Sequence, residues 1–391
     1  MAWLIAIFAL IFNGGIVTEF ISRLPSAIAA IALLVETWRL TSSYSSTKNG
    51  WRVMLILATM FEFFRAAVAC RVDMILTTCM VGGIYAMFTA SKHPLRILWA
   101  ILLFSGATLT KGPVGTLLPC LALGIYFVLE GQNFFKTFFK LTLVAICSFI
   151  LPAVWYWLAY RQGGEVFGTL AWEENIGRLT GTMSYDSHVN PWYYNITSLL
   201  AGCLPWTVPV IIGLFYKRVR NSVQLKRFKH GFPLLCICVC LTIFIFYCIP
   251  SSKRSVYLLP CYPFLAIGAT FILGKLAETK LTRIWAIILS VIAIIAPIAM
   301  IILTNIRIEN LKVESPGTVG WIISFVPLLA GCWWLFTRSS RANGLAGSIG
   351  MTYLIMLAYN STYMPAFVNP RSDKQIAAKI ELLLPKNAPI E

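Results

Sequence analysis

Charge is what this sequence has least of. Lysine, arginine, aspartate and glutamate make up 12% of its 391 residues, against 58% hydrophobic. A soluble domain of this length needs far more polar surface around its core, so a water-soluble enzyme or binding module is excluded. Acid is scarcer than base, 15 residues against 32, and histidine occurs three times. There is no Cys-x-x-Cys or His-x-x-x-His pair and no glycine-rich phosphate loop, so the common zinc and nucleotide signatures are absent. Most of the 11 cysteines fall inside apolar runs. Cys236, Cys238 and Cys240 scatter around a helix at i, i+2, i+4 spacing and read as packing. The apolar start, residues 1–16, has neither a basic n-region nor a small-residue cleavage site and is not a signal peptide.

Long apolar runs are abundant. Lipid admits only helices or closed barrels as spanning structures, and barrel strands would alternate apolar and polar residues. Continuous runs of roughly 17–22 residues instead fit helices crossing a core of about 30 Å. The fold class expected is all-α integral membrane, with about twelve transmembrane helices. They are placed near 24–40, 52–68, 74–90, 96–110, 113–129, 139–160, 196–216, 231–249, 256–273, 284–304, 319–337 and 343–360. Residues 1–17 form a further span or an interfacial helix. Residues 18–360 form the membrane core, and 361–391 a tail on the outer side.

Basic residues set the orientation. Lys217, Arg218, Arg220, Lys226, Arg227 and Lys229 mark a cytoplasmic loop; Lys275, Lys280 and Arg283, Arg338 and Arg341, and Lys92 with Arg96 mark others. Alternation then puts 161–195, 250–255, 305–318 and the tail on the far side. The net charge of +17 faces anionic lipid and calls for no nucleic acid.

Polar residues gather on the outer face. The loop 161–195 holds Glu165, Glu173, Glu174, Arg178, Asp186 and His188, ahead of the aromatic run Pro191-Trp192-Tyr193-Tyr194. Ionisable groups against such a greasy background are the place to look for chemistry. Glu174 and Arg178 stand four apart, on one face of a short helix. In Arg71-Val72-Asp73 the acid and base either neutralise each other, or Asp73 holds a substrate hydroxyl or orients a basic side chain. Lys111 emerges where Gly112-Pro113 breaks a helix; it either snorkels to the interface or meets an anionic phosphate. Lys253 and Arg254 run against the positive-inside tendency and suit a bound anion, with Tyr257 as a further donor; the other reading pairs them with the acids of 161–195. Glu62 and Arg65 lie three apart and neutralise each other within the bundle.

Taken in order, Arg23-Leu24-Pro25-Ser26-Ala27, Arg71-Val72-Asp73, Leu109-Thr110-Lys111-Gly112-Pro113, Glu174-Asn175-x-x-Arg178, His188-x-x-Pro191-Trp192-Tyr193-Tyr194, Gly202-x-x-Pro205-Trp206 and Ser252-Lys253-x-x-x-Tyr257-Leu258-Leu259-Pro260-x-Tyr262-Pro263 carry a resemblance. The chain resembles the bacterial polyprenyl-phosphate-sugar glycosyltransferases. These are GT-C type enzymes that include the lipid A aminoarabinose transferase and relatives of the protein O-mannosyltransferases. The resemblance implies transfer of a sugar from a polyprenyl phosphate carrier to a periplasmic acceptor, a glycolipid of the lipid A type or a protein, at the inner membrane. It implies phosphate contacts from Arg178 and Tyr257, joined by Lys111, Lys253 and Arg254. Asp73 and Glu174 would be supporting catalytic carboxylates, and His188 and Glu173 an acceptor or divalent-cation site.

In the family a span and a long outer loop precede this region, carrying an acidic motif that supplies the main carboxylate and a Lys-Pro-Pro segment that binds phosphate. Here MAWLIAIFALIF resembles the interfacial helix that follows, and no aspartate precedes Asp73. The tail, with a helix expected over 372–383, resembles the start of the family's C-terminal domain. The chain therefore reads as a membrane core trimmed at both ends and inactive as written. The rival readings are a non-catalytic relative that binds polyprenyl phosphate and a transporter of lipid-linked sugar. The absence of an internal repeat and the gathering of polar residues at the outer face argue against transport.

Overall fold

The computed structural model describes residues 1–177, 189–222, 230–250, 252–277, 279–306, 313–337 and 344–371. Arg178, Asp186 and His188 lie outside those residues. So do Lys226, Arg227, Lys229, Arg338, Arg341 and the tail helix expected from Ser372. The described residues are helical throughout, apart from turns and one isolated antiparallel bridge between Val189 and Ser252. The chain is a multi-pass α-helical membrane protein, divided into two compact units at 276/277.

The first unit opens with α1 (Ala2–Asn13), α2 (Glu19–Tyr44), α3 (Thr47–Ala58), α4 (Phe61–Ala67), α5 (Asp73–Thr89), α6 (Arg96–Lys111), α7 (Val114–Leu129) and α8 (Phe134–Trp172). It continues with α9 (Tyr194–Gly202), α10 (Thr207–Leu214), α11 (Lys217–Arg220), α12 (Gly231–Cys248), a 3-10 turn (Ser255–Cys261) and α13 (Tyr262–Leu276). Side-chain oxygens cap the starts of α2, α3 and α8. Thr18 accepts from the Ile21 amide at 3.3 Å, Ser46 from Asn49 and Asn133 from Lys136 at 3.2 Å, satisfying donors that a first helical turn leaves orphaned.

Six helical segments among the described residues are long and apolar enough to span, and the bent pair α9–α10 is a seventh if counted as one. The remaining expected spans fall on shorter helices. The 17 residues of α5 rise about 25 Å, short of a core of about 30 Å. Helix α5 is enclosed by protein along almost its whole circumference. A helix surrounded by other helices need not present a full apolar length to lipid.

Two runs that read as single spans are broken. The run 52–68 divides between α3 and α4, and 196–216 divides between α9 and α10, which meet at 101°. The two breaks satisfy each other. The Phe61 amide donates to the Leu204 carbonyl at 2.9 Å, and the Trp206 indole nitrogen donates to the Thr59 hydroxyl at 2.9 Å. Irregular backbone within a membrane fold persists only where protein supplies such partners. Trp206 is 1% exposed, so Trp206→Phe keeps most of the packing and deletes the bond. Loss of about 0.5–2 kcal/mol is expected, read from reversible unfolding in mixed micelles; an unchanged midpoint would dismiss the bond as a contributor.

The second unit contains α14 (Lys280–Asn305), α15 (Thr318–Phe336), α16 (Gly344–Ala358) and α17 (Met364–Val368). Leu289, Ala293 and Met351 form its core, packed by Trp285, Ala330, Trp334 and Ile355. The Thr362 hydroxyl donates to the Gly320 carbonyl at 3.0 Å.

Candidate functional site

Helices α5 and α6 are joined by a short turn, so they run antiparallel. The N-terminus of α5 and the C-terminus of α6 therefore lie at the same end. Asp73 opens α5 and Lys111 closes α6, each with the charge its helix end favours. They meet in an ion pair, Lys111 Nζ to Asp73 Oδ1 at 2.5 Å, with side chains 21% and 10% exposed. Gly112 turns the chain out of α6 with φ 75°, a conformation that glycine reaches without strain, and Pro113 then starts α7. The tip is tied internally: the hydroxyls of Thr108 and Thr116 share a hydrogen bond at 2.7 Å, and Thr116 Oγ1 donates to the Phe104 carbonyl at 3.0 Å.

Tyr257 enters from the 3-10 turn. Its ring lies 4.0 Å from Lys111 Nζ, a cation–π contact, and it packs on Tyr247 with centroids 5.2 Å apart. Three residues before Tyr257, Arg254 leads into the turn. Its Nε is buried with no hydrogen-bond acceptor among the described residues. Orphaned buried donors are rare in folded proteins and ask for a partner. Asp73, Lys111, Arg254 and Tyr257 thus come from elements that converge on one end of the first unit.

Lys253 behaves differently. It is 5% exposed, and its Nζ donates to the carbonyls of Pro250 at 2.7 Å and Asn190 at 3.3 Å. Asn190 returns a bond from Nδ2 to the Lys253 carbonyl at 3.1 Å, beside the Val189–Ser252 bridge. In this arrangement the ammonium staples two loops together. Arg71 does not neutralise Asp73: its backbone accepts from the Ser26 hydroxyl at 2.9 Å, and its side chain is exposed. Glu62 and Arg65 do pair, at 2.6 Å.

Helix α8 shapes the apolar side of the site. At Gly164, with φ 58° and ψ −146°, the chain leaves the long helix and folds back. Phe167 packs on Trp155 and Tyr156 with centroids 6.0 and 6.1 Å apart, although a straight helix would separate residues 11 or 12 apart by about 17 Å. The returning segment roofs a groove of about 350 Å³, lined by Thr108, Pro113, Phe149, Pro152, Tyr156 and Trp172 among others. Thr108 and Pro113 flank Lys111 in sequence, so the hairpin that carries Lys111 also supplies part of the groove's wall.

Glu173 and Glu174 begin a π-helical turn, Glu173–Gly177, directly after α8. Arg178 and His188, the expected partners in that loop, lie outside the described residues. Among the described residues no three His, Cys, Asp or Glu side chains come together as a metal-binding set. The residues that line the groove and the Lys253 staple are not foreseen from the sequence; the aromatic-rich segment 149–172 with its glycines was the available signal for the first.

Residues 1–157 match the family model described as dolichyl-phosphate-mannose-protein mannosyltransferase. An uncharacterized protein of Aquifex aeolicus is 26% identical over 76% of this chain and 57% of its own length. The undecaprenyl phosphate-alpha-4-amino-4-deoxy-L-arabinose arabinosyl transferase of Erwinia tasmaniensis is 25% identical over 59% of this chain and 41% of its own. The chain therefore spans only about half the length of the curated relatives it matches. The crystal structure of ArnT from Cupriavidus metallidurans bound to undecaprenyl phosphate superposes with a TM-score of 0.75 at 20% identity, covering 99% of this chain and 70% of that one. The resemblance carried by the motifs holds: in sequence this chain is similar to the polyprenyl-phosphate sugar transferases, and its membrane fold is that of ArnT.

Proposed function

We propose that this chain is the membrane core of a glycosyltransferase that takes a sugar from a polyprenyl phosphate at the periplasmic face of the inner membrane. The acceptor is a glycolipid of the lipid A type or a protein. The observation that carries this reading is the Asp73–Lys111 pair beneath Tyr257, on the same helix hairpin that contributes Thr108 and Pro113 to an apolar groove. A polyprenyl phosphate has those two parts, an anionic head and a long apolar tail. The undecaprenyl phosphate bound in the ArnT crystal structure supports the same chemistry.

In this reading about twelve helices, some of them short, cross the bilayer, with 18–360 as the core and 361–391 leading into a further domain. Lys111, Arg254 and Tyr257 hold the phosphate, joined by Arg178. As the bond from the sugar's anomeric carbon to phosphate oxygen breaks, the electron pair stays on phosphate, where fixed cations in a water-poor site stabilise it. The acceptor oxygen bonds to the anomeric carbon and loses its proton to a carboxylate. Asp73 orients Lys111, Glu174 supports the site, and Glu173 with His188 faces the acceptor or a divalent cation. Lys253 acts through loop stapling.

The test is binding to the purified protein, by native mass spectrometry, of undecaprenyl phosphate against uncharged undecaprenol. Preference for the phosphate by about tenfold or more, lost in Arg254→Ala, supports the reading; equal retention of both lipids overturns it. Labelled undecaprenyl-phosphate sugar in vesicles then separates the rivals. Transfer marks an enzyme, binding without transfer beside a full-length relative marks a binding-only protein, and label crossing the bilayer untransferred marks a transporter.

A further inference from the structure

The pair Glu62–Arg65 sits on α4, in the otherwise apolar sequence FEFFRAA. Glu62 is 3% exposed. Arg65 grips it with both Nε and Nη2, at 3.0 and 2.6 Å. A pair three residues apart on one helix crosslinks nothing by itself, and burying it costs solvation that apolar residues of the same volume would not. One tertiary consequence runs through Ser255. The Ser255 hydroxyl accepts from Arg65 Nη2 at 3.1 Å and donates to Glu62 Oε1 at 3.1 Å. Ser255 is the first residue of the 3-10 turn, next to Arg254 and two residues before Tyr257. The surroundings leave little slack: a Cβ on Gly202 would collide with the Tyr262 hydroxyl and press on the Glu62 side chain at 2.9 Å.

We infer that Glu62, Arg65 and Ser255 are positioning residues, a charged clamp that fixes the 3-10 turn so that Tyr257 covers Lys111 and Arg254 faces the carrier's phosphate. This rests on the carrier-site reading above. None of the three touches the reacting atoms; they act through Tyr257 and Arg254. A clamp of two charges gripping one hydroxyl holds it in a fixed direction, which a greasy contact does not.

Ser255→Ala is the informative variant, because it leaves the ion pair intact and releases only the turn. Affinity for undecaprenyl phosphate should fall about tenfold, and Ser255→Thr should restore it. In a double-mutant cycle with Tyr257→Phe the losses should be less than additive, because both act at one contact. Wild-type affinity in Ser255→Ala, or fully additive losses, overturns the clamp while leaving the carrier reading intact. If the wild-type protein itself fails to bind undecaprenyl phosphate, the carrier reading falls. The clamp is then judged by amide hydrogen exchange across 255–261: faster exchange in Ser255→Ala upholds it as the anchor of the turn, and unchanged exchange overturns it.

Discussion

On the proposed transferase reading, replacing Lys111 with methionine should lower sugar transfer by about 10²–10³-fold, the usual cost of removing one fixed donor from a developing negative charge. It should also destabilise the protein, for a separate reason. Asp73 is 7% exposed, and Lys111 is its ion-pair partner at 2.5 Å. Removing one member of a buried pair leaves an uncompensated charge, at about 3–5 kcal/mol. The two effects separate in the double variant Lys111→Met, Asp73→Asn, which removes both charges together. Its unfolding midpoint should return most of the way to wild type while transfer stays down. If the double variant regains transfer along with stability, the pair is structural and the phosphate is held elsewhere. Asp73→Asn alone keeps the ammonium but loosens its aim, so it should weaken catalysis less than Lys111→Met.

The outline of this site was legible in the sequence; its wiring was not. Lys111 stood out because Gly112-Pro113 forces a helix end, and a charge at a forced end has few places to go. The base that Asp73 meets is Lys111, 38 residues away, and not adjacent Arg71. The helical pattern contains that answer only once α5 and α6 are recognised as an antiparallel pair. Lys253 shows the opposite difficulty. Its ammonium reaches the carbonyls of Pro250 and Asn190, and that direction depends on the path of the Asn190 loop, which no local window contains. Hydropathy likewise merged α3 with α4 and α9 with α10, since their breaks at 59–60 and 203–206 are as apolar as the helices. What makes those breaks tolerable is a tertiary exchange of hydrogen bonds, Phe61 to Leu204 and Trp206 to Thr59, which no local window contains. Glu173, Glu174 and the groove lined from 149 to 172 meet at the end of α8, and the reversal at Gly164 that brings them together was hidden inside one long apolar run.

The second large effect is expected at Gly115, the second residue of α7. A Cβ there would run into the Ala107 carbonyl and sit 2.7 Å from the Thr108 amide nitrogen. These are backbone atoms of α6, which cannot rotate aside as a side-chain tip can. Gly115→Ala must therefore push α6 from α7 at the point where Thr108 and Thr116 hold the hairpin closed. Overpacking of this kind costs about 1–3 kcal/mol, visible as a lower unfolding midpoint in detergent. Because Lys111 is the last residue of the helix being pushed aside, the same substitution should displace its ammonium from Asp73 and from the Tyr257 ring, and so, on the carrier-site reading, weaken undecaprenyl phosphate binding by more than tenfold. Gly124→Ala, farther along α7, is the control, since a Cβ there meets only Leu141 at 3.5 Å, an ordinary contact. If Gly115→Ala loses stability but binds the carrier like the Gly124→Ala control, then the hairpin does not set the position of Lys111, and the site is built from the α5 and 3-10 side alone.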